Sequence, residues 1–343
     1  MGNSRFRVSA VAGVSALLAV VAVAAVIAAL LGGGVKRQRE EPSGAQQHID
    51  PALRLYRQTA TFRVELKEPR GLVVLDQGRF AVVGDRALLI YGRDGSLLKA
   101  VPLQQPPQCV AAGGANHIHP ERIYLGFRNH VEVFDSAGNR LDVWKPPHNN
   151  SDFTSITAAQ RDVFVADVAN RLAWRYSADG QLLGSLGAAD KSRNYPGFVI
   201  TSRYFDVAAS SDGMLYAVNP RLLRIEGFDY SGPNQGNPVR YWGRGSPQID
   251  GFFGCCNPIH LAAFTDGRFA TAEKGFNWVK IYSRSGQLEC VVAGQAELAA
   301  PAADLAVDEE NNVWVLDAAA KCVRVFGPKN SGQDSGKTTE SGL

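Results

Sequence analysis

The chain has 343 residues, 45% of them hydrophobic, with 36 Lys and Arg against 33 Asp and Glu for a formal net charge of +3. That is room for a large core, and 35 Gly and 17 Pro point to many turns rather than long helices. The near-balanced charge, with no Lys/Arg block inside the globular part, speaks against the concentrated basic face of a nucleic-acid binder.

Residues 1–7 form a short tail carrying Arg5 and Arg7. Residues 8–31, "VSAVAGVSALLAVVAVAAVIAALL", contain no charge. As a helix they span about 36 Å, enough to cross a hydrocarbon core of about 30 Å. A cleaved signal peptide has an apolar region of only about 7–15 residues, so the length favours an uncleaved transmembrane anchor. Lys36, Arg37 and Arg39 balance the positive charge before the segment. A very short tail most simply stays in the cytoplasm, which gives a single-pass membrane protein with its large domain outside the cytoplasm. Residues 32–52 read as a polar linker, and residues 329–343 as a disordered tail without apolar periodicity.

Between these ends no amphipathic helical stretch of convincing length occurs. A short apolar strand, a turn, two alternating strands, an aromatic, another turn and a fourth strand recur instead. Aligned on the aromatic ending the third strand, the copies fall at Tyr91, Phe134, Tyr176, Phe228, Tyr282 and Phe326, at intervals of 43, 42, 52, 54 and 44. A four-strand period of about 40–50 residues is the mark of a β-propeller, here an all-β domain of six blades over residues 53–328. The sixth copy has only three strands before the polar tail. The missing strand is available in "ATFRVEL", Ala60 to Leu66, which would close the ring and remove an open edge.

The clearest copy is "VFVADVANRLAWRYSADGQLLGSLG", Val163 to Gly187. Asp167 ends its second strand, Asn170-Arg171 opens the third, and Asp179-Gly180 turns into the fourth. This copy resembles the NHL repeat, and looser copies cover about residues 60–327. The resemblance implies a propeller of four-stranded blades; NHL motifs are too degenerate to specify an activity.

The innermost strands align as "PRGLVV", "PQCVAA", "FTSITA", "YFDVAA", "PIHLAA" and "AADLAV". Their fourth column, Leu72, Val110, Ile156, Val207, Leu261 and Leu305, should pack between blades. Their third, Gly71, Cys109, Ser155, Asp206, His260 and Asp304, should ring the channel mouth. Asp206, His260 and Asp304 then converge from neighbouring blades. Two readings stand. One is a divalent metal, Ca²⁺ or Zn²⁺ among the candidates, held by two carboxylates and an imidazole. The other is a hydrated network that only fixes the ring. Propeller enzymes such as amidating lyases and gluconolactonases hold metals in this channel, but amidating lyases use several histidines and this column has one.

The stretch "GFFGCCNPIHLAAF", Gly251 to Phe264, leads into blade five and places two of the 5 cysteines side by side. Cys255 and Cys256 read first as a vicinal disulfide, then as buried thiols, and last as metal ligands, since adjacent residues bite a metal poorly. Residues inserted at 186–203 and 243–257 crowd the same face. Glu273-Lys274-Gly275 follows the second strand of blade five beside them. Glu273 shares a column with the turn-capping Asp167 and Asp317. Cys290 and Cys322 fall on strands as core residues, and "HIH", His117 to His119, on a surface hairpin of the opposite face. The function expected is a scaffold binding a protein or small-molecule ligand through Cys255, Cys256, Asn257, His260, Glu273 and Lys274. The alternative is a metal-dependent lyase or hydrolase at the channel mouth.

Overall fold

Among the described residues twenty-four short strands, rich in β-branched, aromatic and small apolar residues, break at Gly- and Asp-rich turns. The second and third strands of the blades are buried almost throughout, and outer ones such as Leu97–Pro102 are largely exposed. The computed structural model describes residues 49–232 and 236–329. The expected transmembrane segment, most of the linker and nearly all of the C-terminal tail lie outside them. Among the described residues no helix is long and apolar enough to cross a membrane.

The first strand, β1 (Tyr56–Arg63), precedes the blades. Blade one is β2 (Pro69–Val74), β3 (Phe80–Gly84), β4 (Ala87–Tyr91) and β5 (Leu97–Pro102), and blade two is β6 (Cys109–Ala112), β7 (Ile123–Gly126), β8 (Val131–Phe134) and β9 (Arg140–Trp144). Blade three is β10 (Phe153–Ala159), β11 (Asp162–Asp167), β12 (Leu172–Ser177) and β13 (Leu182–Leu186). Blade four is β14 (Val207–Ala209), β15 (Met214–Asn219), β16 (Arg224–Asp229) and β17 (Arg240–Trp242). Blade five is β18 (His260–Ala263), β19 (Phe269–Ala272), β20 (Val279–Tyr282) and β21 (Leu288–Ala293). Blade six is β22 (Asp304–Val307), β23 (Val313–Asp317) and β24 (Cys322–Pro328), completed by β1. Each innermost strand touches the innermost strands of both neighbours, and β2 against β22 shuts the ring. The chain is a six-bladed β-propeller of four-stranded blades.

The closing strand lies slightly earlier than the sequence suggests. It pairs antiparallel with β24 from Tyr56 opposite Pro328 to Arg63 opposite Cys322, with an irregularity between Gln58 and Ala60. Because β24 runs on to Pro328, the partner has ladder to fill as far back as Tyr56. Val64 and Leu66 stay buried as the chain crosses into blade one.

The six aromatics that set the repeat are all buried, as are the six aliphatic residues of the fourth column. Turn glycines lock neighbouring blades. Gly180 has φ +88°, and a Cβ there would lie 2.3 Å from the indole nitrogen of Trp144 on the previous blade's outer strand. Gly286 meets Trp242 in the same way, at 2.6 Å. Only a residue without a side chain allows both the backbone angle and the contact. The two longest interblade connections run from β13 to β14 and from β17 to β18, where the sequence intervals are stretched.

Candidate functional site

Five of the six third-column residues, Cys109, Ser155, Asp206, His260 and Asp304, line a central channel of about 420 Å³. Behind that ring the wall is mostly small: Ala111, Ala208, Ala262 and Ala306, with Thr157 and Val73, occupy the next inward column. Half of the ring is Gly71, Cys109 and Ser155, and the other half carries all its charge.

Asp206, His260 and Asp304 come together as their alignment requires. His260 Nδ1 lies 3.3 Å from Asp206 Oδ2 and 3.8 Å from Asp304 Oδ1. One donor atom from each of the three falls within 4.8 Å of the others. Burial disfavours the imidazolium, but the hydrogen bond and charge of Asp206 and the charge of Asp304 outweigh it and hold His260 above its ordinary value. Burial also pushes Asp304 up, to about 7; His260 and two backbone amides oppose the shift, and the Asp206 charge adds to it.

The same carboxylates tie the blades together, which column alignment alone does not reveal. Asp206 Oδ2 accepts the Leu261 N–H of blade five at 2.8 Å, and Asp304 Oδ2 accepts the Leu72 N–H of blade one at 2.8 Å. Ser155 Oγ accepts the Val207 N–H of blade four at 3.2 Å. A third-column side chain thus caps a fourth-column amide on the next blade. The innermost strand has no further strand on its channel side, so these amides need such acceptors.

The loop before β18 is fastened by Asn257, which is 1% exposed. Its Nδ2 donates to the carbonyls of Phe253 at 2.6 Å and Lys274 at 3.1 Å, and its Oδ1 accepts the Lys274 N–H at 3.0 Å. One amide therefore joins the two loops that the sequence places side by side. Lys274 Nζ sits 5.0 Å from the centre of the Tyr204 ring. The disulfide expected for Cys255 and Cys256 is open here, and both are free thiols, Cys255 exposed and Cys256 buried. Cys256 adopts φ +64° and its sulfur lies 3.4 Å from Thr201 Oγ1. Burial pushes this thiol up, but the Thr201 hydroxyl, the polar side chains of Ser202 and Cys255 beside it and the charge of Lys274 outweigh it and leave it below the ordinary thiol range.

Glu273 does not reach the surface with its neighbours. Its side chain is 1% exposed and pairs at 2.5 Å with Lys280 Nζ, itself 0% exposed. Lys280 also donates to the carbonyls of Ile249 and Gly251, both at 2.8 Å, and its ammonium lies among the rings of Trp278, Phe252 and Tyr282. Burial pushes the Glu273 carboxyl up and the Lys280 ammonium down, each opposed by its partner. The repeat column anticipates a structural acid at 273; the sequence signal missed was a lysine at 280 inside the apolar strand "VKIY".

His117 and His119 lie on the β6–β7 turn. The His119 Nε2 is 3.0 Å from Asp179 Oδ1 of the next blade and staples two turns. His117 is buried rather than on the surface, and its Nδ1 accepts the His119 N–H at 3.0 Å. The two gather no metal-binding cluster among the described residues. Thr201, next to Ser202, was not anticipated as the partner of Cys256. It sits in the stretched connection into blade four, whose length was visible in the sequence but whose path was not.

No protein-family model matches the sequence, and no curated protein is similar to it. Solved structures are similar in fold. Virginiamycin B lyase from Staphylococcus aureus superposes with a TM-score of 0.54 at 13% identity, over 80% of this chain and 100% of the lyase. A streptogramin B lyase gives 0.54 at 12% identity over 82% and 100%. The WD40 propeller domain of Doa1 gives 0.55 at 15% identity over 80% and 98%. At such identities the likeness is one of propeller architecture, shared by enzymes and by a WD40 domain alike.

Proposed function

We propose that this chain is a membrane-anchored, extracytoplasmic propeller of the NHL type that binds a protein or small-molecule ligand on the face carrying Cys255, Cys256, Asn257 and Lys274. The observation that carries this reading is the buried Asn257 amide, which holds two loops of one face in a single fixed arrangement. A loop pair fastened this way presents its exposed groups without the ordering cost that a mobile loop meets on binding. A photo-crosslinker placed at Cys255 and, as a control, at Asn139 on the opposite face tests it in native membranes. Adducts should form from position 255 and not from 139; equal yields from both, or none from 255, would remove the reading. The exposed Cys255 also reports topology, because a membrane-impermeant thiol reagent should label it in intact cells.

A second reading is favoured by the convergence of Asp206, His260 and Asp304 at the channel mouth. Two carboxylates and an imidazole suit Zn²⁺, Mn²⁺ or Ca²⁺, and each carboxylate oxygen that caps an amide keeps a second lone pair. A bound divalent ion would polarise a carbonyl or activate water, the chemistry of a lyase or hydrolase. The fold-level likeness to virginiamycin B lyase, also solved as a catalytically inactive histidine-to-alanine variant with quinupristin, supports the class and no particular substrate. Stoichiometric metal in the purified protein, lost on His260→Ala, is the expected result; metal-free protein refutes this reading and leaves the first intact.

A further inference from the structure

Of the five cysteines, Cys109, Cys290 and Cys322 are buried, and burial pushes each of their thiols up. Such thiols are inert. In the adjacent pair Cys255 differs by its exposure, and Cys256, though buried, by the hydroxyl against its sulfur. Cys255 is exposed at the edge of the loop, one residue after Gly254 at φ +78°. Cys256 turns inward through a left-handed backbone conformation, unusual for a residue with a side chain. Its sulfur meets the Thr201 hydroxyl at 3.4 Å. One sulfur therefore faces solvent while its neighbour lies behind it against the Thr201 hydroxyl.

We propose that Cys255 and Cys256 form a thiol–disulfide exchange site, in which the exposed Cys255 takes a sulfur from a small disulfide and Cys256 expels it. In the first step the Cys255 thiolate attacks one sulfur of the disulfide. The sulfur–sulfur bond breaks, and the departing thiolate takes up the proton that Cys255 gave to solvent. In the second step the Cys256 thiolate attacks the Cys255 sulfur of the mixed disulfide. A second thiol leaves with the proton from Cys256, and the pair is joined. Two electrons pass from the two cysteines to the small disulfide, which ends as two thiols. Run backwards, the same steps let a small dithiol or thiol pair reopen the site.

The division of labour follows from position. Cys256 is only 5% exposed, so an external disulfide cannot reach it first. Lowering its proton affinity does not help the first attack but does supply thiolate for the second, which is intramolecular. Lys274 contributes charge there, and Asn257 holds Lys274 to the loop. The inference goes beyond the binding reading and does not depend on it, since exchange requires only this loop and Thr201.

The test uses the reduced full-length chain and glutathione disulfide as the probe. Wild-type protein should release two glutathiones per chain, and peptide mapping should find Cys255 and Cys256 joined. Cys256→Ser should stop halfway, with one glutathione retained on Cys255. Cys255→Ser should react at least about tenfold more slowly, and Thr201→Val should slow only the release of the second glutathione. Circular dichroism confirms that each variant is folded, and the wild-type measurement stands without them. The assignment is overturned if wild-type protein keeps a stable single glutathione, if Cys256→Ser releases both, or if Cys255→Ser exchanges at the wild-type rate.

Discussion

Replacing residues 56–66 by a Gly/Ser stretch of equal length should abolish cooperative folding of the propeller. The substitution removes β1, and with it the outermost strand of blade six. Tyr56, Val64 and Leu66 are buried, and each contributes about 1.5–3 kcal/mol relative to exposure, so their loss removes about 5–9 kcal/mol. The Phe62 ring stacks on Phe80 at 5.3 Å and on Trp314 at 6.0 Å. Two such aromatic pairs add about 1–3 kcal/mol. The total is an upper value, because an unfolded chain already covers part of its apolar surface. It is still comparable with the whole stability of a typical domain, about 5–15 kcal/mol. Urea unfolding followed by tryptophan fluorescence is the assay, and the variant should lose its sharp transition. A midpoint and slope equal to wild type would show that β1 does not close the ring. A milder version, Leu66→Ala, should leave a cooperative transition lowered by about 2–5 kcal/mol.

Further outcomes follow from the buried polar groups. Lys280→Met should cost about 3–5 kcal/mol because it leaves Glu273 buried without its partner. The double variant Glu273→Leu/Lys280→Met should cost less than Lys280→Met alone, and urea unfolding that ranks them the other way removes the coupling. Asn257→Ala should destabilise by about 1–3 kcal/mol and speed amide exchange at Lys274, which loses its acceptor; unchanged exchange would show that Asn257 does not hold the loops. In metal-free protein, Asp304 has its folded value raised from 3.8 to about 7 and His260 is raised above 6.5. A raised value means a contribution present below the unfolded value and lost as pH rises through the folded one, so wild-type stability should fall between about pH 4 and 7. Asp304→Asn should flatten that fall, and parallel pH–stability curves would show that the three groups do not share protons.

The strand repeat was readable because each blade repeats one burial pattern. Six aromatics at the ends of third strands and six aliphatics in the innermost column are all buried, and their spacing alone gives the blade count. The triad at the channel mouth was readable for the same reason: pseudo-symmetry turns a column of the alignment into a ring in space. What the sequence left hidden lies in non-repeating chain. Thr201 meets Cys256 across 55 residues through a connection that belongs to no column. Glu273 illustrates the reverse failure. Lys274 and Gly275 after it turn towards the surface, but one lysine seven residues later pairs with its carboxylate inside the blade. The ±1 alternation that reads strands well says nothing about which buried charge finds which partner.

The channel ring sets a limit on how its chemistry can be tested. Asp206 and Asp304 each cap an amide of the following blade while also facing His260. Removing either carboxylate leaves Leu261 or Leu72 N–H without its acceptor, a cost of about 1–3 kcal/mol that any loss of function would share. Asn at these positions keeps an acceptor oxygen but removes the charge, so it separates capping from electrostatics. His260 touches the two carboxylates and caps no amide among the bonds that join the blades. Its replacement by alanine is therefore the change that empties the centre of the site while leaving the interblade clamps in place. If the ring is only structural, His260→Ala should also relieve the pull that keeps Asp206 and Asp304 facing each other. The domain should then lose stability most near neutral pH, where an imidazolium still faces ionised carboxylate, and least at low pH, where Asp304 is already protonated. If the ring serves a ligand or an ion, binding should vanish in His260→Ala at a pH where its stability matches that of wild type.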